Sequence, residues 1–209
     1  MTNAVEQGRG LVLLGNEALW DQSGADLFIG GGSSSNGLAV GDFAEVIAAN
    51  VNLGTGAHSM DNLLMVTNSG ELAISGALNI GSVSNSGNVV EISRQGHISA
   101  DTVNIVAGEG NGLELNSGGQ LTVSNDFDAS MAGFYFNGGS TLEIGGALSG
   151  FNGLLDNRKM LVLNGGYWDE GADLYVGSNT AGNALFVTNG AIAGSANTYI
   201  GFAEGADNN

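Results

Sequence analysis

Two carboxylates that flank one aromatic residue are the first candidates for chemistry in this 209-residue sequence. Asp126 and Asp128 lie on either side of Phe127, a spacing that places both on one face of a strand or loop. Paired carboxylates can bind Ca²⁺ or act as the acid and base of a polysaccharide-cleaving enzyme. No basic residue lies nearby in the sequence to stabilise the negative charge of a lyase reaction. We therefore expect no catalytic site and no cofactor, with Ca²⁺ at this pair as the open alternative.

A second acidic cluster comprises Asp169, Glu170 and Asp173, and Asp21 and Asp26 repeat it earlier in the chain. A catalytic site is rarely duplicated within one chain. The recurrence therefore indicates a structural role or weak Ca²⁺ binding rather than catalysis.

The other reactive residue types give no convergent motif. His58 and His97 have no partner at a metal-binding spacing, and the chain has no Cys to act as a nucleophile. We interpret both histidines as turn residues. Trp20, Tyr167 and Trp168 could stack on sugars if they are exposed, but such side chains more often pack between layers of structure.

Asparagine recurs at a regular spacing before apolar segments. Since Asn tolerates left-handed backbone angles and can hydrogen-bond within its own turn, stacked copies could form an amide ladder at one corner of a repetitive fold. A ligand-binding role for these side chains is the alternative. The members are Asn36, Asn62, Asn88 and Asn111, at spacings of 26, 26 and 23, and then Asn183 and Asn209, again 26 apart.

Composition narrows the class of partner. The formal net charge is −17, from 21 Asp and Glu against 4 Lys and Arg. This balance disfavours nucleic acid and anionic membranes, because both need basic residues to neutralise phosphate. With 43% hydrophobic residues the chain can bury a core, and no apolar run is long enough for a membrane-spanning helix.

A repeat with a period of about 25 must position these side chains. Two apolar residues at i and i+2, then a turn residue and a nearby Gly, recur around positions 16, 42, 68, 94, 116, 137, 164 and 189. Apolar residues alternate within each unit, which is typical of strands with one buried face. One unit, for example, contains the pairs Leu64 and Val66, Leu72 and Ile74, and Leu78 and Ile80.

This pattern predicts an all-β fold, a right-handed parallel β-helix of about eight coils with three short strands in each. Residues 11–209 would form one solenoid, and residues 1–10 a leader or a truncated coil. The absence of Pro agrees with continuous strand ladders, because Pro lacks the backbone donor. Open strand edges at the ends would favour end-to-end self-association.

The sequence also contains a longer repeat, which spans several of the predicted coils. Residues 20–30 match residues 168–177 with a one-residue gap, and from Gly24 onward the offset is constant at 147. This offset pairs Asn36 with Asn183 and Asn62 with Asn209. A 147-residue unit would hold about six coils. We interpret the sequence as a fragment of a longer repetitive protein.

These motifs resemble the passenger regions of autotransporter-like and giant repetitive surface proteins of Gram-negative bacteria. The similarity is clearest in LYVG at 174–177, GNALFVTNG at 182–190 and YIG at 199–201, and it extends over nearly the whole chain from about residue 11. The resemblance implies a right-handed β-helix, export, and a role in adhesion, aggregation or surface coating. The sequence departs from the family in having no signal peptide and no translocator barrel.

Two functions remain open at this point. The first is a non-enzymatic adhesive rod at the cell surface, with surface glycans or other cell-surface proteins as partners. The alternative is a carbohydrate-active β-helix enzyme of the lyase or hydrolase type. Its groove would lie in the irregular stretch at residues 126–160, where Arg158 and Lys159 are adjacent.

Overall fold

Short parallel strands stacked in coils make up the molecule. The computed structural model describes residues 3–5, 9–106, 108–169 and 171–209, which contain 26 strands and no helix. All strand pairings are parallel, and most strands pair with the strands of the coils before and after them. The predicted fold class is confirmed: the chain is a β-solenoid of about eight turns, consistent with a right-handed β-helix.

Two long sheets and one shorter sheet form the three sides of the first coils. The six-stranded sheet contains β2 (Leu11–Leu14), β5 (Gly37–Val40), β8 (Leu63–Val66), β11 (Val89–Ile92), β14 (Gly112–Leu115) and β17 (Phe134–Phe136). The eight-stranded sheet contains β3 (Leu19–Gln22), β6 (Glu45–Ala48), β9 (Glu71–Ile74), β12 (His97–Ala100), β15 (Gln120–Val123), β18 (Thr141–Ile144), β21 (Met160–Asn164) and β24 (Ala184–Thr188). The five-stranded sheet contains β1 (Asn3–Val5), β4 (Leu27–Ile29), β7 (Val51–Leu53), β10 (Ala77–Ile80) and β13 (Thr102–Ile105).

Three small sheets replace the shorter sheet and the six-stranded sheet later in the chain. They pair β16 (Phe127–Asp128) with β19 (Leu148–Ser149), β22 (Tyr167–Asp169) with β25 (Ile192–Gly194), and β20 (Leu154–Leu155) with β23 (Leu174–Val176) and β26 (Thr198–Ile200). Among the described strands, only those of the eight-stranded sheet continue through both parts of the rod.

Alternation along each strand places the core inside the coil. In β6, β10, β11 and β12 every second side chain is buried. Like residues stack from coil to coil, so that Leu38, Leu64, Val90 and Leu113 form one buried apolar ladder. Burying each such side chain contributes about 1.5–3 kcal/mol, a gain that a single coil could not reach alone.

The coil length is not constant. Along the eight-stranded sheet the offset between paired residues is equal in the first three steps, then shortens, and is smallest at the step from β18 to β21. The paired positions run through Leu19, Glu45, Glu71, His97, Gln120, Thr141, Met160 and Ala184. The predicted period of about 25 therefore describes the first coils well. The middle coils are shorter, and they lose length from their turns and their shortest strands.

The eight turn positions that repeat in the sequence, from position 16 to position 189, lie at two corners of the coil rather than at one. Asn16, Asp42, Asn68 and Arg94 have positive φ and follow strands of the six-stranded sheet. Positions 164 and 189 instead end or follow strands of the eight-stranded sheet, one side further round the coil. The next left-handed pair at the first corner is 157–158, between β20 and β21. The expectation of a single corner series is therefore wrong.

The 147-residue repeat is also out of phase with the coil. The offset relates β5 in the six-stranded sheet to β24 in the eight-stranded sheet, nineteen strands later. At three strands per coil, nineteen strands are six coils and one extra strand, rather than six coils. Equivalent segments of the two copies therefore face different sides of the rod.

Candidate functional site

The most irregular region is the interruption of two sheets between residues 126 and 160. The six-stranded sheet ends at β17, and no pairing among the described strands joins β17 to β20 in the next coil. The coil that leads from β18 to β21 is the shortest along the eight-stranded sheet, since Thr141 pairs with Met160. Around it, β16, β19 and β20 have two residues each. The shortened coil opens the side of the rod at this level.

A cleft of about 180 Å³ lies at this opening. Phe134 and Phe136 continue the buried ladders of Leu113 and Leu115, yet both phenylalanines are only partly buried. The inward face of the coil is thus reachable from outside at this level. We call this opening the aromatic cleft, and its main lining residues are Phe134, Phe136, Phe151, Asn152 and Lys159.

Lys159 places a cation at the aromatic cleft. Its ammonium nitrogen lies 5.2 Å from the centroid of the Phe136 ring, within the range of a cation–π contact. Burial lowers the pKa of Lys159, and the nearby carboxylate of Asp156 acts in the opposite direction. Among the described residues this ammonium forms no ion pair within 4.0 Å. It is therefore available to an anion that enters the cleft.

The carboxylate of Asp156 is hydrogen-bonded to the neighbouring coil. Its Oδ1 accepts hydrogen bonds from the backbone N–H of Asn179 at 3.0 Å and from the hydroxyl of Thr180 at 3.2 Å. Burial alone would raise the pKa of Asp156, but these hydrogen bonds outweigh burial and hold the pKa below its ordinary value of 3.8. Asp156 therefore fixes the 177–183 loop.

Asp126 and Asp128 are both exposed, and each carboxylate has its own local partners. Asp126 Oδ1 accepts a hydrogen bond from the backbone N–H of Ala147 at 2.8 Å. Asp128 Oδ1 accepts from the hydroxyl and the backbone N–H of Ser130, at 2.6 and 2.9 Å, and these bonds lower its pKa. No group of three or more His, Asp and Glu side chains suited to a metal occurs in the described part of the chain. Calcium binding at this pair stays a prediction.

The predicted asparagines lie in a hydrogen-bonded series. The side-chain N–H of Asn36 donates to Asn62 Oδ1 at 3.0 Å, Asn62 donates to Asn88 at 2.8 Å, and Asn88 donates to Asn111 at 3.0 Å. The backbone N–H of each donor residue bonds to the same acceptor oxygen. These buried amides use their hydrogen-bonding groups within the rod, which is a structural role.

A separate, shorter ladder joins the other two asparagines. Asn183 donates to Asn209 Oδ1 at 3.0 Å, and Asn183 Oδ1 accepts from the backbone N–H of Lys159 at 3.1 Å. Asn183 precedes β24 of the eight-stranded sheet, whereas the first four members precede strands of the six-stranded sheet. The expectation of one corner for all six residues is wrong, for the same reason as for the corner series.

The described members of the second acidic cluster, Asp169 and Asp173, have separate hydrogen-bond partners. Asp173 accepts a hydrogen bond from the side chain of Asn197 at 2.8 Å, and in the other copy Asp26 accepts one from Asn50 at 2.8 Å. These two pairs are equivalent under the 147-residue offset, so both copies keep the same coil-to-coil link. Glu170 lies outside the described residues.

Three other acidic and histidine side chains make local contacts. Asp21 Oδ1 accepts from the backbone N–H of Ser23 at 2.9 Å, and this bond lowers the pKa of Asp21. His97 Nε2 lies 3.1 Å from the hydroxyl of Thr122, and His58 occupies an exposed turn with positive φ. These contacts give no indication of a shared site.

Of the aromatic residues that the sequence singled out, Trp168 is fully buried and packs edge-on against Phe151, with ring centroids 5.8 Å apart. Trp20 is partly buried on the inward face of β3, and Tyr167 is about half exposed. Trp168 therefore cannot stack on a sugar.

An outward-facing aromatic cluster, formed by Tyr175, Tyr199 and Phe202, was not predicted from the sequence. The two tyrosine rings are stacked with centroids 4.7 Å apart, and Phe202 lies edge-on to both, at 5.5 and 5.1 Å. Phe202 is 59% exposed. Tyr175 alternates with two buried residues, which signals an outward side chain, but the pairing of Tyr175 with Tyr199 requires the particular register of these two coils.

Comparison with known proteins adds no identification, because no family model matches the chain and no similar curated protein or solved structure was found. The described residues also contain no helix that is long and apolar enough to cross a membrane.

Proposed function

We propose that the chain is a non-enzymatic, surface-exposed adhesive rod, a passenger segment of an exported bacterial adhesin-like protein that binds surface glycans. The observation that carries this proposal is the cluster of Tyr175, Tyr199 and Phe202 on the outer surface of two stacked coils. Aromatic rings beside hydrogen-bonding groups suit a sugar, which has both apolar C–H faces and hydroxyl groups. The linked Asp173 and Asn197 lie in the same two coils.

In the first copy the equivalent strands form and stack without an aromatic cluster, although they lie on a different side of the coil. Under the 147-residue offset the equivalents of Tyr175, Tyr199 and Phe202 are Phe28, Asn52 and Thr55. Asn52 instead belongs to an amide series on the five-stranded sheet, in which it accepts a hydrogen bond from Asn79 at 2.9 Å. The second copy therefore carries aromatic side chains at two positions, 199 and 202, where the first copy has polar ones, which favours a binding role.

The same comparison supplies the variant that tests the proposal. The double substitution Tyr199→Asn and Phe202→Thr gives the second copy the residues that the first copy tolerates. We expect the parent to bind immobilised cell-surface polysaccharides in a glycan screen, and the variant to bind at least about tenfold more weakly with an unchanged circular dichroism spectrum. Asn52→Ala is the matched control and should bind like the parent.

Equal binding by the parent and the double variant would remove the cluster from the proposed site. Binding of the parent to cell-surface proteins but to no glycan would replace the proposed partner class. Both results leave the β-solenoid fold unaffected, since the fold is established independently of any ligand.

The alternative of a carbohydrate-active enzyme has one observation in its favour. The aromatic cleft lies in the stretch where such a groove was expected, and it contains a half-buried lysine. If the chain cleaves polysaccharide there, substitution of both Asp126 and Asp128 by Asn should abolish cleavage, measured as release of reducing or unsaturated ends. Cleavage that survives the substitution would exclude this acidic pair as its site.

A further inference from the structure

The aromatic cleft is an opening into the core of the rod rather than a groove on its surface. In the six-stranded sheet the inward side chains of β8, β11 and β14 are fully buried, whereas Phe134 and Phe136 of β17 lie at the same inward positions and are partly exposed. The missing cover is the strand that would pair on β17. Three phenylalanine rings line this space beside the polar groups of Asn152 and Lys159, so the lining suits an occupant with one apolar and one polar part.

The electrostatics of the cleft favour a negative charge on this occupant. The chain has only four Lys and Arg against 21 Asp and Glu, yet Lys159 forms no ion pair among the described residues. Its ammonium is partly desolvated over the Phe136 ring, which lowers its pKa. The carboxylate of Asp156 acts on this ammonium from beyond ion-pair distance, and a half-buried cation gains more from direct contact with an entering anion than an exposed one does.

The neighbouring groups hold this lysine in place without neutralising it. The backbone N–H of Lys159 donates to Asn183 Oδ1 at 3.1 Å, and its carbonyl accepts from the N–H of Ala184 at 3.1 Å. The nearby Asp156 has Oδ1 engaged by Asn179 and Thr180. The backbone of the lysine is therefore fixed by the next coil, and its ammonium is directed at the ring of Phe136.

We propose that the aromatic cleft binds a small aromatic carboxylate. The ring of the ligand would pack among Phe134, Phe136 and Phe151, and its carboxylate would pair with the ammonium of Lys159 at the mouth. The size agrees with this occupant, since an apolar cavity of about 150 Å³ holds benzene and this cleft measures about 180 Å³. The proposal is independent of the glycan site, which lies on other coils.

Trp168 provides a reporter for the test. Its buried indole contacts Phe151, which lines the cleft, so a ligand that displaces Phe151 should change the tryptophan fluorescence. Trp20→Phe leaves Trp168 as the only tryptophan of the chain. In this background we expect benzoate to give a saturable fluorescence change, and neutral benzamide to bind at least tenfold more weakly. Ligand-observed NMR of a fluorobenzoate would confirm binding without the reporter.

Two substitutions, at Lys159 and Phe136, and one control substitution, at Arg158, locate the binding site. Lys159→Met keeps the apolar part of the side chain and removes the charge, so benzoate binding should weaken at least tenfold. Arg158→Met removes the adjacent, exposed cation and is the matched control, with binding expected to be unchanged. Phe136→Leu removes the ring below the ammonium and should also weaken binding.

The alternative is that the alkyl chain of Lys159 only fills the gap left by the short coil. No saturable binding of benzoate up to the millimolar range, by fluorescence and by NMR, would support this alternative and overturn the proposal. Equal binding by parent, Lys159→Met and Phe136→Leu would do the same. Urea unfolding of each variant establishes first that it is folded, so that a loss of binding reports on the cleft.

Discussion

The first four coils and the three that follow are built from the same kinds of strand but differ in order. In the first four the pairing offset along the eight-stranded sheet is constant, most strands have four residues, and the inward ladders are buried from β5 onward. In the following coils the offset shortens at each step until Thr141 pairs with Met160, and two of the three sides lose their continuous sheets.

The eight-stranded sheet shows which feature the two regions share. It passes through both regions, and its inward residues Ile98, Leu121, Leu142 and Leu161 are fully buried. The apolar alternation is therefore sufficient for stacking in both regions. Where sheets break, the cause is the length of the turns, because a short coil cannot place a full strand on every side. The eight-stranded sheet carries the stacking without a break, and shorter pairings on the other two sides support it.

The largest expected effect is a difference in the free energy of unfolding between substitutions at two neighbouring positions of one ladder. Leu115 is fully buried in β14, and Phe136 is paired with it in β17 but is partly exposed. Leu115→Ala should lower the free energy of unfolding by about 3 kcal/mol, since it leaves a cavity in a closed core. Phe136→Ala should cost only about 1 kcal/mol, because the cleft is already open to solvent.

Urea unfolding monitored by circular dichroism measures both values. An equally large loss for Phe136→Ala would mean that the cleft is closed in solution, and the contrast between the two regions would disappear at this position.

The two asparagine ladders are expected to differ by a smaller amount in how much they stabilise the fold. Asn88→Ala removes the oxygen that accepts from both the backbone and the side-chain N–H of Asn62, and it should destabilise the protein by about 2–3 kcal/mol. Asn183→Ala, in the shorter ladder, should cost about 1–2 kcal/mol. Hydrogen exchange at Asn62 and at Lys159, whose backbone N–H groups lose their acceptors, locates each effect. Exchange unchanged at both amides would show that water replaces the ladder bonds.

The smallest effect is the pH dependence of the interrupted region. The pKa of Asp156 is held below 3.8 in the folded chain, so its stabilising contribution is present above that value and is lost as the pH falls through the lower, folded pKa. Below about pH 4 we expect faster hydrogen exchange at Asn179, whose N–H bonds to Asp156. Asp156→Asn should remove most of this pH dependence. The same acceleration in the variant would assign it to other carboxylates.

The sequence predicted the buried faces and the coil, because strand alternation and turn chemistry are local properties. Leu64, Val66, Leu72 and Ile74 are buried as their spacing indicated. The sequence did not predict the shortest coil. The corner signature is weak at Asn157, where the pair has no Gly after it, and is strong at position 164, one side later. The sequence pattern therefore did not reveal that the second copy of the 147-residue repeat is shifted by one strand relative to the coil.

The candidate sites were predictable only in part, for a related reason. The irregular stretch and its lysine were visible in the sequence, but the cleft depends on which strands fail to pair. Tyr175 was evidently outward-facing, yet its contact with Tyr199 depends on a coil length that the sequence average obscured. Asp126 and Asp128 are both exposed, as their spacing indicated, but only Asp128 belongs to strand β16, and the hydrogen bonds of both residues depend on the turns around them.

The extra strand in the 147-residue repeat sets the directions that the two copies of the repeated segment face. The two copies of the repeated segment are turned by one side of the three-sided rod and are separated by about six coils, roughly 30 Å along the axis. In geometric terms the two copies are related by a screw operation about the rod axis, so a flat surface laid along the rod meets only one of them.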